Sequence, residues 1–230
     1  MSTNANTSNK HLNDLTWRIF AILAAFVALL FLVGTLVLLN VQRASQPRGL
    51  QLDEPKALMP FTLTNQHGQT VTSDKYTGKV TVMTFLYTSC LDTCPLTAAK
   101  LRDTYELIKD RAPDVAFVAI TVDPERDTPE KLKEFSERWD MTDKWDFLVG
   151  SQSSLEPLWK EYWAGAVRSE VLESKAAGDE GGASHSETGN YDIMHAAPVH
   201  LTDKEGRVKL VYASAAMPEN IAHDILLLLG

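Results

Sequence analysis

The chain has 230 residues, of which 44% are hydrophobic, enough for one buried core and additional segments. Its formal net charge is -8 at pH 7, and it lacks the basic patch that a nucleic-acid surface needs, so a nucleic-acid partner is not expected. An acidic surface suits cations or basic partners, but it is equally the ordinary way for a protein to stay soluble.

The N-terminal part predicts a membrane anchor. Residues 1–15 are rich in Asn, Ser and Thr and predict a disordered cytoplasmic tail. From Ile19 to Leu39 the chain carries no charge, and a helix of that length spans about 30 Å, the thickness of the hydrocarbon layer. The apolar run exceeds a signal-peptide core, and no convincing small-residue cleavage site follows it. Residues 16–40 therefore predict an uncleaved transmembrane signal anchor.

The charges that flank this segment do not decide its orientation. Lys10 and Arg18 precede it, and Arg43 and Arg48 follow it. Because the basic count is balanced, the excess of positive charge that normally marks the cytoplasmic side is missing.

The rest of the chain predicts one α/β domain. A polar linker over residues 41–56 leads into a domain over residues 57–230, and the Gly-rich stretch 174–190 predicts a mobile surface insertion. The predicted elements are strands at 61–64, 70–72, 80–87, 115–122, 147–149, 199–201 and 208–212, with helices at 95–111, 127–139, 153–163 and after 218. Strand–helix alternation that ends in a hairpin and a helix predicts a mixed-sheet, thioredoxin-like fold.

The two cysteines predict a reactive site. Cys90 and Cys94 are the only cysteines, which is too few for a disulfide framework, and they lie between a buried strand and the helix that begins at Pro95. The partial positive charge of a helix start favours thiolate and lowers the pKa of a cysteine. Thiolate is both a nucleophile and a metal ligand, so this site supports redox chemistry and metal binding.

The spacing of the cysteines leaves both chemistries open. Three residues separate Cys90 from Cys94, whereas thioredoxin-type oxidoreductases have two residues between their cysteines. The wider loop can close a disulfide or direct two sulfurs at one ion. Two thiolates select Cu(I), or zinc with more ligands, and the sequence offers no second cysteine pair for a four-ligand zinc site.

A third ligand is sought among the six histidines. In a thioredoxin-like sheet the loop that enters the third core strand lies beside the cysteine-bearing helix start, and this topology favours His195. His185 lies in the predicted insertion and is a weaker candidate. The remaining histidines are expected to have ordinary structural or surface roles: His11, His67, His200 and His223.

Three motifs resemble the Sco/SenC/PrrC family of copper-binding cytochrome c oxidase assembly proteins. Residues 87–95 read Tyr-Thr-Ser-Cys-Leu-Asp-Thr-Cys-Pro, and residues 121–129 read Thr-Val-Asp-Pro-Glu-Arg-Asp-Thr-Pro. The third match is His195, followed eleven residues later by Gly206. The resemblance covers about residues 52–230, and the N-terminal anchor agrees with it.

This resemblance implies a thioredoxin-like fold in which Cys90, Cys94 and His195 hold copper. Members of the family assist assembly of the dinuclear copper centre in cytochrome c oxidase subunit II by delivering copper, by reducing that subunit's cysteines, or by both. The implied partners are that subunit, a related client or another copper chaperone. The implied location is the bacterial inner membrane with the domain in the periplasm; the alternative is the mitochondrial inner membrane facing the intermembrane space.

The resemblance also matches Asp123 to an acidic residue that lies near the site in the family. The role that this implies is to orient a metal ligand or to dock a partner. The alternative role for Asp123 is capping and turn formation with Pro124. The chain departs from the family pattern at Met194, where Asp is usual before the histidine, at Leu91, where Pro is usual, and at Leu86, where Gly is often found. These departures indicate a divergent branch, whose client can differ from the usual oxidase.

Two alternatives to a copper metallochaperone remain at this stage. The first is a membrane-anchored thiol–disulfide oxidoreductase, in which Cys90 and Cys94 are catalytic, Pro198 follows a cis bond and His195 is dispensable. The second is a redox or copper sensor that docks a partner through residues 174–190. A metallochaperone is not an enzyme, so the leading hypothesis predicts binding rather than turnover.

Overall fold

A computed structural model of the chain describes the backbone of residues 5–164, 166–170, 191–195 and 197–230. Side chains are described for residues 17, 18, 20–164 and 197–230. The chain divides into two compact units, Met1–Gln46 and Pro47–Gly230.

The N-terminal unit is a helix, α1, which runs from Ala5 to Ala44. Its segment Phe20–Ala44 is long and apolar enough to cross a membrane, with a mean hydropathy of 3.0 and no buried residue in its most apolar window. A soluble core helix would bury such a surface, whereas lipid solvates it. The structure differs from the expected boundaries, because α1 begins within the tail predicted to be disordered and ends inside the predicted linker.

The second unit is built on a mixed sheet, as predicted. Its bounds are β1 Leu50–Ala57, β2 Thr62–Asn65, β3 Thr70–Thr72, β4 Val80–Leu86, β5 Val115–Thr121, β6 Asp146–Val149, β9 Val199–Thr202 and β10 Arg207–Tyr212. Among the described residues these strands lie in the order β1-β10-β9-β4-β5-β6-β2-β3. Two further strands, β7 Ala166–Glu170 and β8 Tyr191–His195, pair with each other.

The helices of this unit are α2 Thr93–Leu107, α3 Pro129–Arg138, α4 Gln152–Glu161 and α5 Pro218–Leu229. Short 3-10 turns cover Ser73–Tyr76 and Lys109–Asp114. Helix α2 therefore ends earlier than predicted, and Pro113 prevents a regular continuation. Helix α4 is capped by Ser151, whose hydroxyl accepts a hydrogen bond from the Ser154 amide, rather than by Ser153 or Ser154 as predicted.

The central strands confirm the predicted core. Every residue of β4 is buried, and β4 pairs in parallel with β5 over its whole length. On its other side β4 pairs antiparallel with β9, with Met83 opposite His200. A strand that is buried on both faces has a continuous run of apolar residues in its sequence. Strands β4 and β5 were predicted from such runs. The result is the thioredoxin-like α/β architecture expected from the sequence.

Strand β1 lies within the segment predicted to be a linker. It pairs antiparallel with β10 at the edge of the sheet, with an irregularity in register between Gln51 and Lys56. Pro55 falls in that irregularity, where the loss of an amide donor is tolerated. The proline and the polar composition give no sign of a strand in the sequence. The strand becomes evident only from its partner, because Leu50 lies opposite Val211, 161 residues later.

Candidate metal centre

The two cysteines lie at the junction of β4 and α2. Cys90 is in the connecting loop and is 9% exposed, whereas Cys94 is in the first turn of α2 and is fully buried. Both are free thiols. The backbone amide of Cys94 donates to the Cys90 sulfur across 3.4 Å, so the start of the helix is directed at this sulfur.

The surroundings make the two sulfurs unequal. A hydrogen bond from the Cys94 thiol lowers the pKa of Cys90 to about 5; burial opposes this, and the amides of Cys94 and Asp92 and the hydroxyl of Tyr87 assist it. The same hydrogen bond to Cys90, together with burial, raises the pKa of Cys94. The surroundings therefore favour ionisation at Cys90 and keep the proton of the pair on Cys94.

A buried carboxylate, Asp127, holds the chain just before Cys90. It accepts hydrogen bonds from the hydroxyl of Thr88 at 2.5 Å and from the amide of Thr88 at 3.2 Å. The hydroxyl of Thr121, at the end of β5, donates to the same carboxylate. Burial raises the pKa of Asp127, and the hydrogen bonds oppose that shift. From the sequence, Asp127 is expected only at the start of a helix; its position in the second motif, residues 121–129, is the signal for a further role.

Asp123 has the turn-forming role that was considered for it. Its backbone carbonyl accepts from the amides of Arg126 and Asp127, which forms the turn before α3. Its buried carboxylate forms an ion pair with Arg126, whose guanidinium lies 6.0 Å from the centre of the Tyr87 ring. The hydroxyl of Tyr87 in turn donates a hydrogen bond to the Cys90 sulfur. Support of the metal ligands by Asp123 stays a prediction.

His195 is the last residue of β8, and its backbone pairs with Ala166. Its side chain lies outside the described ones, so its role as a ligand stays a prediction. The chain that follows is well defined: the carbonyl of Pro198 accepts from the hydroxyl of Thr84 at 3.1 Å, and β9 then pairs with β4. The antiparallel register therefore directs the start of β9 toward the end of β4, where the Cys90 loop begins.

The remaining histidines show mostly the ordinary roles expected. His200 is buried, and its Nε2 lies 3.1 Å from the carbonyl oxygen of Tyr162; burial lowers the pKa of His200 to about 4. His223 contacts Asp224, and His67 lies in the turn between β2 and β3. The side chains of His11 and His185 lie outside the described residues, as do those of Met194 and the predicted insertion.

The described residues bear on two expectations, the cis bond before Pro198 and the third metal ligand. Among the described residues no peptide bond is cis, so the cis bond expected before Pro198 for an oxidoreductase is wrong. A trans bond continues the extended chain directly into β9. Within the described side chains, no three Cys, His, Asp or Glu residues converge on one point, so the expected third ligand is not among them and stays a prediction.

The donor set fits a soft, low-coordinate metal ion. Two adjacent cysteine sulfurs, one of them already a thiolate, match the preference of Cu(I). Loss of the Cys94 proton on metal binding would supply the second thiolate. The same pair also fits thiol–disulfide exchange, because a thiolate lies beside a second thiol that can resolve a mixed disulfide.

Comparison with known proteins identifies the family of the chain. Residues 51–230 match the family model described as SCO1/SenC. The chain is 32% identical over 186 residues to an SCO2-like protein of Rickettsia prowazekii (strain Madrid E), and the match covers 79% of this chain and 83% of that protein.

Solved structures show the same fold. A structure of ScoI from Bradyrhizobium japonicum, described as having copper bound, is 27% identical with a TM-score of 0.61, and the match covers 74% of this chain and 98% of that one. A structure of BsSco, described in terms of a disulfide switch and as a member of the Sco family of cytochrome c oxidase assembly proteins, is 26% identical with a TM-score of 0.59, covering 80% and 96%. By fold, motifs and sequence similarity, the chain belongs to the SCO1/SenC family.

Proposed function

We propose that this protein is a membrane-anchored copper metallochaperone that binds Cu(I) through Cys90, Cys94 and His195. The observation that carries the proposal is the pair of free cysteines at the start of α2, where the amide of the buried Cys94 donates to the Cys90 sulfur across 3.4 Å. Such a pair binds a soft cation without the reorganisation that two separated thiols would need. The copper-bound description of the Bradyrhizobium japonicum relative supports the same cargo.

We further propose that the copper is destined for a respiratory oxidase. The description of BsSco as one of a family of cytochrome c oxidase assembly proteins supports such a client, either subunit II or a related copper-receiving protein. The apolar segment Phe20–Ala44 supports a membrane anchor. We place that anchor in the bacterial inner membrane with the domain in the periplasm, as a single-pass protein that serves such a client. An anchor keeps a carrier at the membrane in which its client is assembled.

The test is a competition titration of the reduced full chain in a non-ionic detergent, with Cu(I) held by a strong chelator. We expect one copper per chain, and loss of binding in Cys90→Ala and Cys94→Ala. Replacing His195 with Ala is expected to weaken binding roughly 100-fold, or about 2.7 kcal/mol. The matched control is His67→Ala, because His67 is exposed in a turn distant in sequence from the cysteines. Equal affinity of His195→Ala and the wild type would rule out the three-ligand site.

The asymmetry of the cysteine pair also favours a second function, reduction of the client's cysteines. The Cys90 thiolate would attack a client disulfide, and Cys94 would then resolve the mixed disulfide, so two electrons pass to the client as Cys90–Cys94 becomes oxidised. The reduction potential of the pair tests this function. A potential above that of the client disulfide would exclude the chain as its reductant.

A further inference from the structure

A cleft beside the cysteine loop carries positive charge on an otherwise acidic protein. It has a volume of about 240 Å³, and its lining includes Ser89, Arg126, Lys131 and Arg138. Among the described residues, Glu134 is the one carboxylate that lines it. The chain as a whole has a net charge of -8. The excess of described cations beside the cysteine loop is therefore not explained by overall composition.

The cations of the cleft are not equally available. Arg126 is engaged by the buried carboxylate of Asp123. Lys131 and Arg138 are exposed on α3, and none of the described carboxylates forms an ion pair with either of them. Residues seven positions apart lie on the same face of a helix, so both side chains project along one stripe. Buried Phe135 lies between them and gives the cleft an apolar floor.

Two apolar side chains that follow Cys90 in the sequence are open to solvent. Leu91, the residue that follows Cys90, is 96% exposed, and Leu96 on the first turn of α2 is 58% exposed. Ser89, which lines the cleft, and the exposed Leu91 are the two sequence neighbours of Cys90. An apolar contact with a polar rim is the usual composition of a protein-binding surface.

We propose that Leu91 and the cleft formed by Arg126, Lys131 and Arg138 are a docking surface for an acidic, cysteine-bearing segment of a partner protein. The partner's carboxylates bind Lys131 and Arg138, an apolar side chain packs on Leu91, and its sulfur is thereby placed at Cys90. This inference rests on the proposed function, because it identifies the charge of the protein that exchanges copper or electrons with this site.

Charge complementarity explains why such a patch is useful here. A net negative protein repels an acidic partner at long range, whereas a local positive cleft orients that partner and brings one face to the sulfur. Because exposed charges are screened within about 8–10 Å at ordinary salt, the effect acts close to the cleft and weakens as salt is raised.

The probe is a pair of peptides of equal length, each with one cysteine activated as a thiopyridyl mixed disulfide. One peptide carries three Glu residues near the cysteine, and the other carries Gln at those positions. Attack by the Cys90 thiolate forms the peptide–Cys90 disulfide and releases thiopyridone, whose absorbance gives the rate. With the reduced full chain in non-ionic detergent, we expect the Glu peptide to react about tenfold faster at low salt, and the difference to shrink at high salt.

Two double variants test whether the faster reaction of the Glu peptide depends on the cleft. We expect the Lys131→Glu/Arg138→Glu pair to reverse the ratio of the Glu-peptide rate to the Gln-peptide rate. The Lys109→Glu/Lys133→Glu pair changes the net charge equally at exposed lysines outside the lining, and we expect it to keep most of the preference. Using the ratio within each variant cancels any change in the reactivity of Cys90 itself.

Three outcomes would overturn the docking surface: equal rates for both peptides with the wild type, an unchanged ratio in the Lys131→Glu/Arg138→Glu pair, or an equal loss in the control pair. Cu(I) affinity of the same variants separates this from the proposed function. A wild-type chain that fails to bind Cu(I) but prefers the Glu peptide would contradict the metallochaperone and leave the acidic docking surface standing. Normal Cu(I) binding with equal rates for the two peptides would contradict the docking surface and leave the metallochaperone standing.

Discussion

Cys90 and Cys94 share one proton unequally, and this determines the chemistry of the site. Cys90 is the thiolate because Cys94 donates a hydrogen bond to it, and the amides at the start of α2 add to that effect. Cys94 keeps its proton because burial disfavours a second negative charge next to the first. In the metal-free protein the pair thus offers Cys90 as the nucleophile and Cys94 as a second, protonated thiol.

Removing the Cys94 thiol should therefore raise the pKa of Cys90. Thiolate forms as pH rises through the pKa, so alkylation of wild-type Cys90 by iodoacetamide should reach half its plateau rate near pH 5. In Cys94→Ala we expect the midpoint to move up by at least one pH unit, with a slower reaction at pH 6. Cys94→Ser retains a hydroxyl donor and should lie between the two. A midpoint that stays near pH 5 in Cys94→Ala would contradict the hydrogen bond as the main cause.

At the scale of elements, single buried carboxylates join segments that are far apart in the chain. Asp127 connects the residue before the cysteine loop to the end of β5 through Thr88 and Thr121. Asp224 on α5 accepts from the amides of Arg48 and Gly49, and so fixes the chain that enters β1. Buried charges of this kind cost free energy unless all their partners are in place, so each makes its junction specific.

Loss of the Asp224 carboxylate should destabilise the domain. Its side chain is fully buried and also accepts from the hydroxyl of Tyr212, so truncation leaves several donors without a partner. We expect Asp224→Ala to lower the free energy of unfolding by about 3 kcal/mol, measured by urea titration of tryptophan fluorescence in the full chain. Glu219→Ala removes an exposed carboxylate from the same helix and should cost less than 1 kcal/mol. Equal effects of the two variants would show that the Asp224 contacts contribute little.

At the scale of the whole molecule, an apolar helix precedes a domain with a buried core and an acidic composition. The helix α1 contains the only segment among the described residues that is suited to a membrane. The basic residues around it are balanced, so its orientation comes from the proposed function rather than from charge.

The proposed topology predicts a specific fractionation result in a Gram-negative host. The full chain should stay in the membrane fraction after a carbonate wash, and protease added to intact spheroplasts should digest residues 47–230. A variant that lacks residues 1–44 should instead be released as a soluble cytoplasmic protein, protected until the cells are lysed. Protection of the full-length domain in intact spheroplasts would place it in the cytoplasm and contradict the proposed location.

The sequence by itself determined the features that depend on local pattern. The uncharged run in α1 reflects the length needed to cross lipid, and the buried strands β4 and β5 reflect continuous apolar stretches. The position of Cys90 and Cys94 before a helix predicted a lowered cysteine pKa, and the surroundings of Cys90 lower its pKa in the same direction. Together with the family motifs, these signals were enough to predict the fold and the cysteine pair.

Only the tertiary structure decided the features that depend on contacts between distant residues. Strand β1 exists because β10 pairs with it, and neither its proline nor its polar residues indicate a strand. The supporting role of Asp127 arises from donors on two other segments. Which cysteine holds the proton depends on burial and on the direction of one hydrogen bond, and neither can be read from spacing. Such features follow from packing in three dimensions, because the free energy of a buried polar group is set by its partners and not by its neighbours in sequence.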